Sequence, residues 1–210
     1  MDIHKMIAPA LKRFRSKRME WFEKSLGIRP DQRILDVGGT PFNWSHSHTN
    51  PQVTLINLDA ALVGEVRGNL RLIVADGCAL PFRDRSFDVA FCNSVIEHVK
   101  PGAARASFAN EIRRVAHRYF VQTPDKFFPI EPHFLAPGFQ FIPRPLRRRA
   151  ARWLTPWGWI TRPTASAARH MVDEISLLDA AELRAHFPDA EIVRERFAGL
   201  SKSLLAIKRV

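Results

Sequence analysis

The stretch Arg33-Ile-Leu-Asp-Val-Gly-Gly-Thr-Pro-Phe42 constrains this chain more than any other. An aliphatic and β-branched run, bounded by Pro30-Asp31 before it and Gly38-Gly39 after it, reads as a buried central strand of a parallel sheet. In open α/β sheets, ligands bind at the turn beyond the carboxyl end of such a strand. A dinucleotide fingerprint would need Gly-x-Gly-x-x-Gly, so that the backbone can approach a pyrophosphate at a helix N-terminus. Gly38 and Gly39 are followed instead by Thr40, Pro41 and Phe42. A nucleotide-triphosphate loop would end in Gly-Lys-Ser/Thr, and no lysine lies near. The turn fits neither phosphate chemistry.

Acids recur where the following strands end. Asp59 closes Val53–Leu58, 23 residues after Asp36, near the roughly 20-residue spacing of a ribose-binding carboxylate. Asp76 closes Arg71–Ala75, and a fourth apolar strand, Phe87–Cys92, runs into Asn93-Ser94-Val95-Ile96-Glu97-His98-Val99. With these residues the chain resembles the class I S-adenosylmethionine (SAM) dependent methyltransferases, and within them the type 11 group, firmly over residues 30–125 and loosely beyond. The resemblance implies one doubly wound, Rossmann-like α/β domain over residues 1–210, with seven strands in the order 3-2-1-4-5-7-6 and the last antiparallel. It implies SAM as cofactor, held by Asp36, Gly38, Gly39, Thr40, Asp59, Asp76, Gly77 and Asn93. Asp36 could equally be a structural carboxylate that caps the amides of the turn.

Other methylation chemistries fit less well. Cytosine carbon-5 chemistry needs a cysteine nucleophile placed after a proline, whereas Cys78 follows Gly77. Adenine amino-methylation uses Asn/Asp-Pro-Pro-aromatic at the end of strand four, and Asn93-Ser94-Val95 has neither proline nor aromatic ring. Glu97-His98-Val99 resembles small-molecule methyltransferases. If the acceptor is a hydroxyl, a base is needed, and a histidine titrating near 6.5 suits neutral pH. The candidate catalytic residues are His98 after strand four, and Glu131 and His133 further on; each could instead be structural. The pair His46 and His48 lacks a neighbouring Cys, Asp or Glu, and no metal is expected.

Residues 3–26 place Ile3, Ile7, Ala10, Leu11, Phe14, Trp21 and Phe22 on one face of an amphipathic helix that ends near Gly27. Pro101-Gly102 opens a helix that buries Ala104, Phe108, Ile112 and Val115, and Arg118–Thr123 is strand five. Residues 124–170 hold eight of the fifteen prolines, three of the five tryptophans, and Arg144, Arg147, Arg148, Arg149 and Arg152. That is too long and too biased for a plain connection, so it reads as a lid or substrate-binding insertion. A helix over Leu146–Trp153 would gather Leu146, Ala150 and Trp153 on one side, with Trp157, Trp159 and Ile160 following at once. Asp179-Ala-Ala-Glu182 is a capping-box start, and residues 191–197 and 203–208 read as a closing antiparallel hairpin.

Composition narrows the partners. The net charge of +11 favours an anionic partner or surface without naming it. The two cysteines point to a reducing compartment. The longest charge-free apolar stretch, residues 132–143, carries three prolines and is too short to span a bilayer. The expected protein is cytoplasmic, peripheral at an anionic membrane if the lid inserts there. Its expected partner is a small-molecule or lipid- or glycan-linked methyl acceptor, with nucleic acid a weaker candidate. RNA methylation and a non-catalytic SAM-fold binding protein stand as alternatives.

Overall fold

The computed structural model describes residues 16–66 and 68–210. Seven strands form one sheet: β1 (Arg33–Val37), β2 (Gln52–Asn57), β3 (Leu70–Val74), β4 (Phe87–Asn93), β5 (Ala116–Pro124), β8 (Glu191–Phe197) and β9 (Leu200–Lys208). Their order is β3-β2-β1-β4-β5-β9-β8. The strands from β3 to β5 are parallel, and β9 is antiparallel to both its neighbours. This is the expected seven-stranded order, with the closing hairpin supplying the last two places.

Strand alternation assigns each side chain to a face. Leu35, Val37, Ala90 and Cys92 pack with α3 (Ala103–Val115) and α7 (Ala180–His186) through Phe108, Ile112, Val115 and Leu183. Ile34, Val53, Leu55, Val89, Phe91 and Phe120 pack on the other face against Met19, Phe22 and Leu26 of helix α1, residues 16–26. Phe22 lies 4.7 Å from Phe91 and 5.6 Å from Phe120, ring centroid to centroid. The leading helix is therefore real over its described part, while Ile3, Ile7, Ala10, Leu11 and Phe14 lie outside the described residues. Helix α7 begins with the expected box: Asp179 accepts from the amides of Ala181 and Glu182, and Glu182 accepts from the Asp179 amide.

The first crossovers are short. α2 (Pro41–Trp44) is one turn, and β2 reaches β3 through a 3₁₀ segment, Ala60–Glu65. Leu58, Ile73 and Val74 are left exposed at that edge.

The insertion after β5 has its own interior. A two-residue ladder, β6 (Ile130–Glu131) with β7 (Ala136–Pro137), leads into α4 (Arg144–Ala150), α5 (Pro156–Thr161) and α6 (Ala165–Glu174). Phe134, Phe139, Ala151, Ala168, Val172 and Ile175 form a core separate from both sheet faces. Two expectations need correction. Helix α6 runs through the boundary placed at residue 170, so the insertion extends at least to Glu174. The helix expected over Leu146–Trp153 stops at Ala150 because α5 crosses too closely: a side-chain carbon on Gly158 would collide with the carbonyls of Ala151 and Arg152. Thr155 bridges the break, donating to the Ala151 carbonyl at 2.6 Å and accepting from the Gly158 amide at 3.0 Å.

Candidate active site

The turn after β1 is shaped by two glycines for two reasons. Gly38 has φ +75°, and a β-carbon there would approach Val95 Cγ2 to 2.5 Å. Gly39 is buried, and any side chain on it would occupy the space of the Asp36 carboxyl group. Asn57, at the end of β2, ties the turn down by donating to the Gly39 carbonyl at 3.0 Å, while its own oxygen accepts from the Asp59 amide at 3.0 Å.

Asp36 points to the α1 face of the sheet and is 1% exposed. Trp44 Nε1 donates to its Oδ2 at 2.8 Å, and Oδ1 has no hydrogen-bond partner. Burial pushes this carboxyl up to about 7, against the smaller opposing effect of the indole hydrogen bond. It does not cap the amides of the turn, as one expectation had it; it holds Trp44 and supports the turn from below.

Two cavities meet at Gly38 and Ser94. The first, about 340 Å³, is lined by Gly38, Asn57, Leu58, Asp76, Gly77 and His98 among others. Gly77 is needed there because a β-carbon would strike Phe108. Asp59 is exposed beside Leu58, its carboxylate accepting from the Ala61 amide at 2.9 Å. The second cavity, about 290 Å³, is lined by Arg18, Thr40, Asn93, Gln122 and Lys202 among others. The structure thus brings Gly38, Asp76 and Gly77 to one cavity and Thr40 and Asn93 to the other. Asp36 sits beneath the turn, Gly39 is buried within it, and Asp59 lines neither cavity, following Leu58 of the first.

The three candidate catalytic residues meet although two come from the insertion. The His98 and His133 rings lie edge to face, 5.1 Å apart. Glu131, 1% exposed, contacts His133 Nδ1 at 2.7 Å through Oε1 and accepts from the Phe134 amide at 2.7 Å through Oε2. A carboxylate accepting from Nδ1 selects the Nδ1–H tautomer, so that in the neutral ring Nε2 holds the lone pair. Burial opposes a charged His133, but the Glu131 hydrogen bond and charge prevail and raise its pKa.

Two further acids belong to this cluster and were not among the sequence candidates. Glu97 is fully buried; its Oε2 accepts from the Thr123 hydroxyl at 2.9 Å and its Oε1 has no partner. Burial raises its pKa, against the pull of His133 and His98. Glu174 Oε1 approaches His98 Nδ1 at 3.4 Å. Glu97 adjoins His98 in sequence and could have been read with it. Nothing local marks Glu174, which arrives by way of α6. Arg105 fixes this junction, donating to the carbonyls of Val99 at 3.0 Å and Ser176 at 2.9 Å.

Residues 35–118 match a family model described as a methyltransferase domain. The fold is shared with magnesium protoporphyrin IX methyltransferase of Synechocystis, crystallised with S-adenosylhomocysteine, at 13% identity over 99% of this chain and 88% of that one, TM-score 0.63. It is shared with 1,6-didemethyltoxoflavin N1-methyltransferase of Burkholderia thailandensis at 15% identity over 93% and 75%, TM-score 0.56. A Rhodobacter sphaeroides protein named as a zinc-dependent alcohol dehydrogenase is equally similar in fold, at 12% identity over 92% and 90%, TM-score 0.63. Likeness at these identities speaks for the fold alone. The sequence matches no curated protein significantly. Over residues 35–118 the chain is thus similar to a methyltransferase domain, and the matched stretch carries the glycine turn after β1 and the acids beyond β2 and β3 on the seven-stranded sheet order described above.

Proposed function

We propose that the chain methylates a hydroxyl group on a small or lipid-linked acceptor, with SAM lying across Gly38 and Gly39. The residues present fit the cofactor: Gly38 and Gly77 present bare backbone to the first cavity, and Asp76, with Asp59 next to the cavity residue Leu58, offers acceptors for adenosine donors. Arg18 and Lys202 set positive charge beside Thr40 and Asn93, which suits the methionine carboxylate. SAM supplies a methyl group on a sulfonium, already a good leaving group, so the protein's part is alignment and exclusion of water.

The observation that carries the acceptor assignment is His98, which lines the first cavity and also meets His133 of the insertion. The cluster takes the hydroxyl proton, the oxygen forms a bond to the methyl carbon, and the carbon–sulfur bond breaks. The products are a methyl ether and S-adenosylhomocysteine. Calorimetry and labelled methyl transfer into extracts test this reading. Asp59→Ala is expected to weaken SAM at least about tenfold while the exposed site leaves the fold intact. His98→Ala and His133→Ala are expected to lower turnover and spare SAM affinity. Binding of NADH in place of SAM would overturn the reading.

The insertion supports a lipid-linked acceptor at an anionic membrane. Trp153 and Leu154 are 65% and 69% exposed, and Leu146 and Trp159 are exposed nearby. A cavity of about 540 Å³ beside them is lined by Arg148, Arg149, Arg152, Trp153 and Arg169 among others. Paired arginines and tryptophans suit the headgroup boundary. Among the described residues, no helix is long and apolar enough to cross a membrane.

A further inference from the structure

We infer that Glu97, His98 and His133 form a binding site for a divalent transition cation, Zn²⁺ in preference to Mg²⁺. This rests on the acceptor site proposed above and refines how that site handles the acceptor's proton. Among the described residues, each of the three offers one ligand atom, and these atoms lie within 4.8 Å of one another. Around a zinc ion with bonds of about 2.0–2.1 Å, ligand atoms sit about 3.4 Å apart. The site must therefore contract by an ångström or so. His98 can supply that movement because its side chain is 31% exposed.

Three features favour an ion over a plain hydrogen-bond network. Glu97 is fully buried, yet Oε1 has no partner, and an unmatched carboxylate oxygen in the interior is costly. His133 is already prepared as a ligand. Glu131 holds Nδ1 at 2.7 Å and is itself fixed by the Phe134 amide, which leaves Nε2 as the ligating nitrogen once an ion displaces its proton. A carboxylate behind a ligating histidine sets its tautomer, its orientation and its basicity. Two imidazoles and one carboxylate are also a donor set for zinc-like ions with an open position, whereas Mg²⁺ prefers oxygen ligands. Glu174, 3.4 Å from His98 Nδ1, can serve His98 as Glu131 serves His133.

Such an ion would change the chemistry. It would take the acceptor oxygen at its open position and lower that hydroxyl's pKa. The proton would leave to solvent or to Glu174, and the histidines would act as ligands rather than bases.

The test is calorimetric titration of ZnCl₂, with MgCl₂ as comparator, into EDTA-stripped protein, with and without saturating S-adenosylhomocysteine. A one-to-one Zn²⁺ site is expected, with Mg²⁺ much weaker. Glu97→Gln combined with His133→Ala is expected to abolish that site, and Glu131→Gln alone to weaken it about 10–100-fold. S-adenosylhomocysteine affinity should be unchanged in all variants, which shows that they fold. Zn²⁺ binding that is absent from the wild type, or that survives unchanged in the double variant, overturns the inference. If S-adenosylhomocysteine binds and Zn²⁺ does not, only the metal site fails. If S-adenosylhomocysteine does not bind, the methyl-transfer reading fails instead.

Discussion

Asp36 makes the turn possible and carries a pH dependence with it. The folded chain holds this proton up to about pH 7, while an exposed aspartate releases it near 3.8. Between those values the unfolded state binds fewer protons, so stability falls as pH rises. The stabilising contribution is complete below about 3.8 and gone above about 7, with a ceiling on the order of 4 kcal/mol at about 1.4 kcal/mol per pH unit. Asp36→Asn keeps an oxygen for the Trp44 indole and removes the titration. Urea unfolding from pH 4 to 8 is expected to show the variant gaining on the wild type as pH rises; parallel curves would refute this. At Gly38, alanine meets both an unfavourable φ and Val95. Gly38→Ala is expected to cost about 1–3 kcal/mol by urea unfolding and to weaken SAM in calorimetry.

Helix α1 is bound to the sheet by one arginine as well as by its apolar face. Arg18 donates to Asn93 at 2.8 Å, Gln122 at 3.1 Å and Glu195 at 2.6 Å, joining the ends of β4, β5 and β8. Arg18→Ala would leave the Glu195 carboxylate largely buried without its partner, a loss of about 3 kcal/mol. Adding Glu195→Gln is expected to recover part of it, and a simple sum of the two single effects would argue against coupling. At this scale the sequence was informative where a local pattern has one structural solution. Ile34–Val37 reads as a central strand because every residue there is buried, and Asp179 with Glu182 reads as a cap because the spacing closes two hydrogen bonds. It was silent where contacts come from far along the chain. Glu174 reaches His98 from 76 residues away, and the end of α4 is set by a glycine in α5. The partner of Asp36 was readable in principle, since alternation sends it to the face on which Trp44 lies.

The charge of the whole molecule is unevenly committed. Arg144 and Arg148 are tied to Asp173, each through a 2.8 Å hydrogen bond, and so hold α4 to α6. Arg149, Arg152 and Arg169 line the arginine cavity, with Arg152 4.8 Å from the Trp153 ring. Changing these three to glutamine removes charge without loosening the helix pair. Wild type is expected to sediment with phosphatidylserine-containing vesicles at low salt and to be released at high salt, where exposed charges are screened. The triple variant is expected to stay in the supernatant. Wild type that ignores vesicles and binds RNA tightly would redirect the acceptor assignment to nucleic acid. The separate interior of the insertion has a bearing on descent. A roof that packs on its own core can diverge at its own pace. A lineage could repack the roof's own interior without disturbing the two layers that flank the sheet.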